Sequence, residues 1–139
     1  MNDPNCIFCK IVKGEIPCYK VYENERVIAF MDLYPAADGH TLVVPKAHFA
    51  NLFEAEEASL AAASVATRHV ARALRAALQP DGLTLMQLNG EAAGQTVFHY
   101  HVHLIPRAAG EALKLHGARQ GKGERLAEVA KAIAAHLGA

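Results

Sequence analysis

The chain has 139 residues, 52% of them apolar and 20% charged, which suits one globular domain with a buried core. Fourteen Lys and Arg balance fourteen Asp and Glu, so no broad field exists to draw nucleic acid or an acidic membrane, and neither is expected as a partner. No apolar run approaches the roughly 20 residues that span a bilayer, and Met1-Asn2-Asp3-Pro4 lacks the basic and apolar regions of a leader, so the cytoplasm is the expected compartment.

In chain order, residues 8–13 predict a short helix closed by Gly14. Residues 21–24 and 26–32, β-branched, aromatic and apolar, predict a strand pair around Asn24-Glu25. Residues 35–39 break the pattern, and 40–45 form the next strand. The long helix covers 55–78, where Leu60, Ala63, Ala66, Val70, Ala73 and Leu74 recur at helical spacing opposite Arg68, Arg72 and Arg75. Pro80-Asp81-Gly82 forces a turn into a strand at 83–89. A small-residue loop, 90–94, leads to a last strand at 96–106. Residues 110–123 carry no periodicity, and 124–137 read as a terminal helix with Leu126, Val129, Ala130, Ile133 and Leu137 on one face. Short connections between strands favour an antiparallel sheet with helices against it, an α+β architecture of about five strands and two main helices. No repeat or linker divides the chain, so 1–139 is read as a single domain.

The last strand carries the row His99-Tyr100-His101-Val102-His103. Alternate residues of a strand share a face, which groups the three imidazoles and turns Tyr100, Val102 and Leu104 toward the core. The outer two lie ~13 Å apart, too far to share one ion. A catalytic row explains them better than an incidental cation site or a plain solvated face. With a pKa of ~6.5, one imidazole is neutral and nucleophilic while a neighbour steadies phosphate oxygens or protonates a leaving group.

With this row, the chain resembles the histidine triad (HIT) superfamily, whose motif alternates histidine with apolar residues, here from His99 to Ile105. The resemblance also covers Cys6-Ile7-Phe8-Cys9-Lys10-Ile11, Glu15-Ile16-Pro17, Ala29-Phe30-Met31-Asp32, Gly39-His40-Thr41-Leu42-Val43-Val44-Pro45-Lys46, Asn89 and Ala93-Gly94-Gln95-Thr96-Val97. It takes in most of residues 1–107 and leaves 108–139 as a variable C-terminal tail. The resemblance implies the HIT fold, pairing as a homodimer with a continuous ten-strand sheet. It implies a purine nucleotide substrate attacked at the α-phosphate by His101, through a covalent nucleotidyl-His101 that water resolves to AMP. His103 then contacts the α-phosphate, Gln95 and Thr96 the phosphate and leaving group, Asn89 lines the phosphate site, Asp32 binds the ribose hydroxyls and His40 stands near the phosphate end. Asp32 also suits an Asx turn before Leu33-Tyr34-Pro35, and His40 a surface position at a strand start.

The three cysteines, an odd number for this compartment, argue against a disulfide framework. Cys6-x-x-Cys9 has the spacing of half a zinc knuckle. A redox pair lacks the βαβ setting such motifs occupy, and two unrelated thiols are the plainer alternative. In the zinc-carrying branch of the HIT proteins, a Pro-Lys-x-His segment and the first triad histidine complete the ligands. Carried over, the set is Cys6, Cys9, His48 and His99, a closed structural Zn2+ site with no part in the chemistry. Cys18 is read as an idle thiol, and His69, His116 and His136 as solvated or packing residues, with Arg107 at the surface.

Some segments resemble nucleotide phosphoramidases of the Hint type; the 94–97 and 104–107 flanks look closer to diadenosine polyphosphate hydrolases of the fragile-histidine type. A non-catalytic nucleotide sensor is a third reading. A nucleotidyltransferase similar to galactose-1-phosphate uridylyltransferase is a more distant one, since those proteins are longer and carry His-Pro-His.

Overall fold

A computed structural model describes residues 3–137. Met1 and Asn2, part of the stretch read above as free of a leader, lie outside the described residues, as do Gly138 and Ala139. The elements are α1 (Ile7–Val12), β1 (Lys20–Glu23), β2 (Val27–Met31), β3 (Thr41–Pro45), α2 (Glu57–Leu78), β4 (Gly82–Met86), β5 (Val102–Arg107) and α3 (Gly123–Ala134). The strands form one antiparallel sheet in the order β1-β2-β3-β5-β4. Among the described residues, no helix is long and apolar enough to cross a membrane.

Every residue of β2 and β3 is buried, because both faces of the sheet are covered. On one face α2 lays Ala63, Ala66, Val70, Ala73 and Leu74 against the sheet. The small residues let the helix approach closely, and α3 adds Leu126, Val129 and Ile133 to the same core. Tyr100, Val102 and Leu104 enter this core, as the alternation predicted. On the opposite face Phe8 of α1 packs with Ile28, Phe30, Leu42 and Val44. Burial of such side chains stabilises by roughly 1.5–3 kcal/mol each, which fixes the strand register.

The predicted elements are present with shifted ends. The last strand enters its ladder only at Val102, six residues later than the alternation suggested, and α3 stops at Ala134. Ahead of α2, Leu52–Glu54 is a 3-10 turn capped by Asn51, whose side chain accepts from the Phe53 amide. The long helix ends in a left-handed residue, Gln79 (φ +48°), directly before Pro80, which cannot continue it.

Register decides which side chains meet. His103 pairs with Leu42 across β5 and β3, and Met31 pairs with Thr41 across β2 and β3. The Asp32 amide then donates to the His40 carbonyl at 3.0 Å. Asp32, His40 and His103 are thereby gathered from three neighbouring strands. Beyond β3 the Tyr100 amide donates to the Phe49 carbonyl at 2.8 Å, which brings His48 beside His99.

Candidate active site

The three histidines of the row face the side of the sheet that α1 covers, and each is anchored differently. His101 donates Nδ1–H to the His99 carbonyl at 2.7 Å, so its lone pair sits on Nε2. Phe8 of α1 stands edge-on to the His101 ring, 5.1 Å between centroids, and holds its orientation. Burial lowers the His101 pKa, a push partly opposed by the bond to the carbonyl.

Around His103 a chain of donors fixes the tautomers. The Ala36 amide donates to His40 Nδ1 at 2.9 Å, so the His40 proton is on Nε2. That proton is donated to His103 Nδ1, also at 2.9 Å, which leaves the His103 proton on Nε2. His103 Nε2 is buried and, among the described residues, has no hydrogen-bond partner. A buried donor without an acceptor costs about 1–3 kcal/mol, a cost that an anionic ligand oxygen would remove. Burial pushes His40 down to about 4 and His103 to about 3, so both are neutral near pH 7. Asp32 Oδ2 lies 3.5 Å from His40 Nε2. Asp32, His40 and His103 are close enough to suggest a metal, yet the shared proton already fills the gap between the two rings. We read them as a hydrogen-bonded relay.

His101, His103, Thr96 and Asp32 line one cavity of about 420 Å³, whose walls are otherwise mostly apolar, with Phe8, Ile11, Phe30 and Leu42 among them. That volume and lining suit a nucleoside-sized ligand. One Asp32 oxygen accepts from the Tyr34 amide at 2.8 Å, the Asx turn anticipated above, and the carboxylate still borders the cavity. Burial raises its pKa, against the pull of that amide. His40 is fully buried behind His103.

Gln95 and Asn89 are placed differently from the cavity group. Gln95 accepts from the Gly90 amide at 2.8 Å and donates to the carbonyls of Ala50 (2.6 Å) and Val97 (3.1 Å). Asn89 accepts from the Leu52 amide at 2.8 Å and exchanges hydrogen bonds with the Gln87 amide group. Neither borders the cavity. His116, read from the sequence as solvated or packing, does border it. An irregular segment has no period from which its facing could be read.

A second cluster lies at the other end of the row. Cys6 Sγ is 3.3 Å from His99 Nδ1, Cys9 Sγ is 3.3 Å from His48 Nδ1 and 3.6 Å from His99 Nδ1, and the two Nδ1 atoms are 3.1 Å apart. Zinc bonds of ~2.3 Å to sulfur and ~2.0–2.1 Å to nitrogen imply tetrahedral edges of about 3.5 Å and about 3.3 Å. The four distances fall within about 0.3 Å of those edges and all four atoms lie within 4.8 Å of one another, so these residues can hold a metal ion. His99 donates Nε2–H to the Pro45 carbonyl at 2.7 Å, which keeps Nδ1 as the ligating lone pair. Amides of Asp3 and Cys9 point at the Cys9 and Cys6 sulfurs, at 3.4 and 3.3 Å.

Residues 13–110 match the HIT domain family. "Protein hit" of Bacillus subtilis is 45% identical over 96% of this chain and 94% of its own. An adenylylsulfatase of Arabidopsis thaliana is 37% identical over 85% of this chain and 63% of that one. An adenosine 5′-monophosphoramidase of Schizosaccharomyces pombe is 42% identical over 74% of each. Among solved structures, a Hit-like protein from Bartonella henselae superposes with a TM-score of 0.91 at 45% identity, covering 97% of this chain and 98% of that one. A Zn-bound histidine triad family protein from Mycobacterium smegmatis gives 0.84 at 35%, covering 96% and 93%. Matched along more than half its length, and sharing its fold with relatives well above 30% identity, the chain belongs to the HIT domain family.

Proposed function

We propose that this protein hydrolyses adenine nucleotides that bear a leaving group on the α-phosphate, releasing AMP. The observation that carries this reading is the pairing of a lone-pair nitrogen, His101 Nε2, with a buried donor that has no partner among the described residues, His103 Nε2–H, in one nucleoside-sized cavity. His101 Nε2 attacks phosphorus while His103 donates to a phosphate oxygen, whose charge grows in the transition state. The leaving group departs, and water then resolves the nucleotidyl-His101. Thr96 contacts the phosphate, and Asp32, at the far side, accepts from the ribose hydroxyls. His40 holds the His103 tautomer. Gln95 and Asn89 contribute by shaping the loop that presents Thr96.

The relatives support the adenylyl half of this substrate, since the adenylylsulfatase and the monophosphoramidase share that portion in their names and differ in what leaves it. The same proposal places zinc in the Cys6, Cys9, His48 and His99 cluster. Four protein ligands leave no open position, so the ion would tie the N-terminal arm to the catalytic strand and supply no chemistry. All 139 residues would act as one domain, the tail included, as a cytoplasmic homodimer.

The test compares an adenosine 5′-phosphoramidate with diadenosine tri- and tetraphosphate at equal enzyme, alongside His101→Asn. The phosphoramidate is expected to turn over fastest and the variant to lose about 10³-fold or more. Faster dinucleotide cleavage would transfer the same nucleophile to the polyphosphate reading. Nucleotide binding with no turnover would leave only a sensor.

A further inference from the structure

The segment joining β5 to α3 is tied to both sides of the cavity. On one side the amides of Gly117 and Gly121 donate to the carbonyls of Tyr34 (3.0 Å) and Leu33 (2.7 Å), in the loop that follows Asp32. On the other side His116 donates Nε2–H to the Gly94 carbonyl at 3.0 Å. Both docking points require glycine. A Cβ on Gly117 would lie 2.0 Å from the Pro35 carbonyl oxygen. One on Gly94, whose φ is +100°, would lie 2.9 Å from Leu115 Cδ1.

These contacts hold His116 on the cavity wall, edge-to-face with His103, the ring centroids 5.8 Å apart. With Nε2 committed to Gly94, Nδ1 is the nitrogen left for a ligand. His40, His101 and His103 are 0%, 6% and 1% exposed, whereas His116 is partly exposed and can exchange protons with solvent. Among the described residues, no Lys or Arg lines the cavity, and His116 is the lining imidazole to which the reading above gives no role.

We propose that His116 is a further catalytic residue, protonating the group that leaves the α-phosphorus. This rests on the nucleotide-hydrolase reading above. As the His101 Nε2 lone pair forms its bond to phosphorus, the bond to the leaving atom breaks and that atom keeps the electron pair. It takes the Nδ1 proton of an imidazolium His116, which becomes neutral and regains a proton from solvent. His103 keeps its proton throughout and acts on the phosphate oxygens.

The test uses His116→Gln, whose amide keeps a donor for the Gly94 carbonyl, and two adenylates. One carries an alkylamine, which must be protonated to leave; the other carries p-nitrophenol, which leaves as a stable anion. kcat/KM is the readout, because it reports the steps up to leaving-group departure. The variant is expected to lose about 100-fold on the amine and only a few-fold on the nitrophenyl ester. Equal losses on both substrates would assign His116 a structural role and overturn the proposal, as would no loss on either. Failure of the unsubstituted enzyme to cleave either compound is a different result, which removes the hydrolase reading itself and this inference with it.

Discussion

His99, His101 and His103 each spend one ring nitrogen on the protein and keep the other. His99 gives Nε2 to Pro45 and turns Nδ1 to the cysteines; His101 gives Nδ1 to a carbonyl and keeps Nε2; His103 accepts a hydrogen bond from His40 at Nδ1 and keeps an Nε2–H that has no partner among the described residues. One residue type at a spacing of two thus yields a candidate metal ligand, a candidate nucleophile and a neutral donor. The row was legible in the sequence because strand alternation is a strict period. The tautomers were not, since they depend on the Ala36 amide and on His40 arriving from another strand. His40 and His103 also predict acid sensitivity. Both are held well below the ordinary value of ~6.5, at about 4 and about 3. Above that value both folded and unfolded chains are neutral at these positions. As pH falls below it, the unfolded chain binds protons that the folded chain refuses. Stability then declines from about pH 6.5 toward pH 3–4, by up to about 1.4 kcal/mol per pH unit for each histidine. Melting temperature measured from pH 7.5 to 4.5 should fall, and His103→Asn should flatten the fall. A profile that the substitution leaves unchanged contradicts this assignment.

At the scale of elements, the long helix and the apolar strands followed from period and composition, because α2 presents a single small-residue seam and β2 and β3 are buried on both faces. The last strand begins later than the alternation predicts because the backbone bends at Val97, Phe98 and His99, and β3 pairs with it only from Val102 onward. The segment carrying His116 was unreadable for a different reason. Its position depends on glycine clearances against Pro35 and Leu115, which leave no periodic trace. Helix α1 has only six residues and is short for independent stability, and its cap is Cys6 Sγ accepting from the Cys9 amide. A metal ion joining Cys6 and Cys9 to His48 and His99 would fasten this helix to the row and to the loop after β3. Purified protein is therefore expected to hold about one zinc per chain by elemental analysis. Cys6→Ser with Cys9→Ser is expected to abolish it and lower the melting temperature by about 10 °C. Zinc-free protein whose melting is indifferent to the double substitution rules out the structural metal.

For the whole molecule, the strand order leaves β4 at one edge of the sheet, with Leu85 58% exposed there and Phe98 nearby in sequence to the row at 46%. An apolar edge strand invites pairing, and a second copy joined along β4 would continue the sheet to ten strands. Sedimentation velocity should then show a dimer that Leu85→Lys converts to monomer; a monomeric unsubstituted protein would exclude the ten-strand arrangement. The fold itself holds the relay and the Cys/His cluster at opposite ends of the histidine row, on the face covered by α1, while α2 and α3 complete the core behind. What unites these parts is the claim that His101 Nε2 becomes covalently bonded to the α-phosphate. The most direct measurement is rapid acid-free quenching of the enzyme during turnover of an adenosine phosphoramidate, followed by peptide mass spectrometry. An adenylyl group on the peptide containing His101, absent from His101→Asn, is the predicted result. An adduct on another residue, or turnover that continues unimpaired in His101→Asn, would contradict the account.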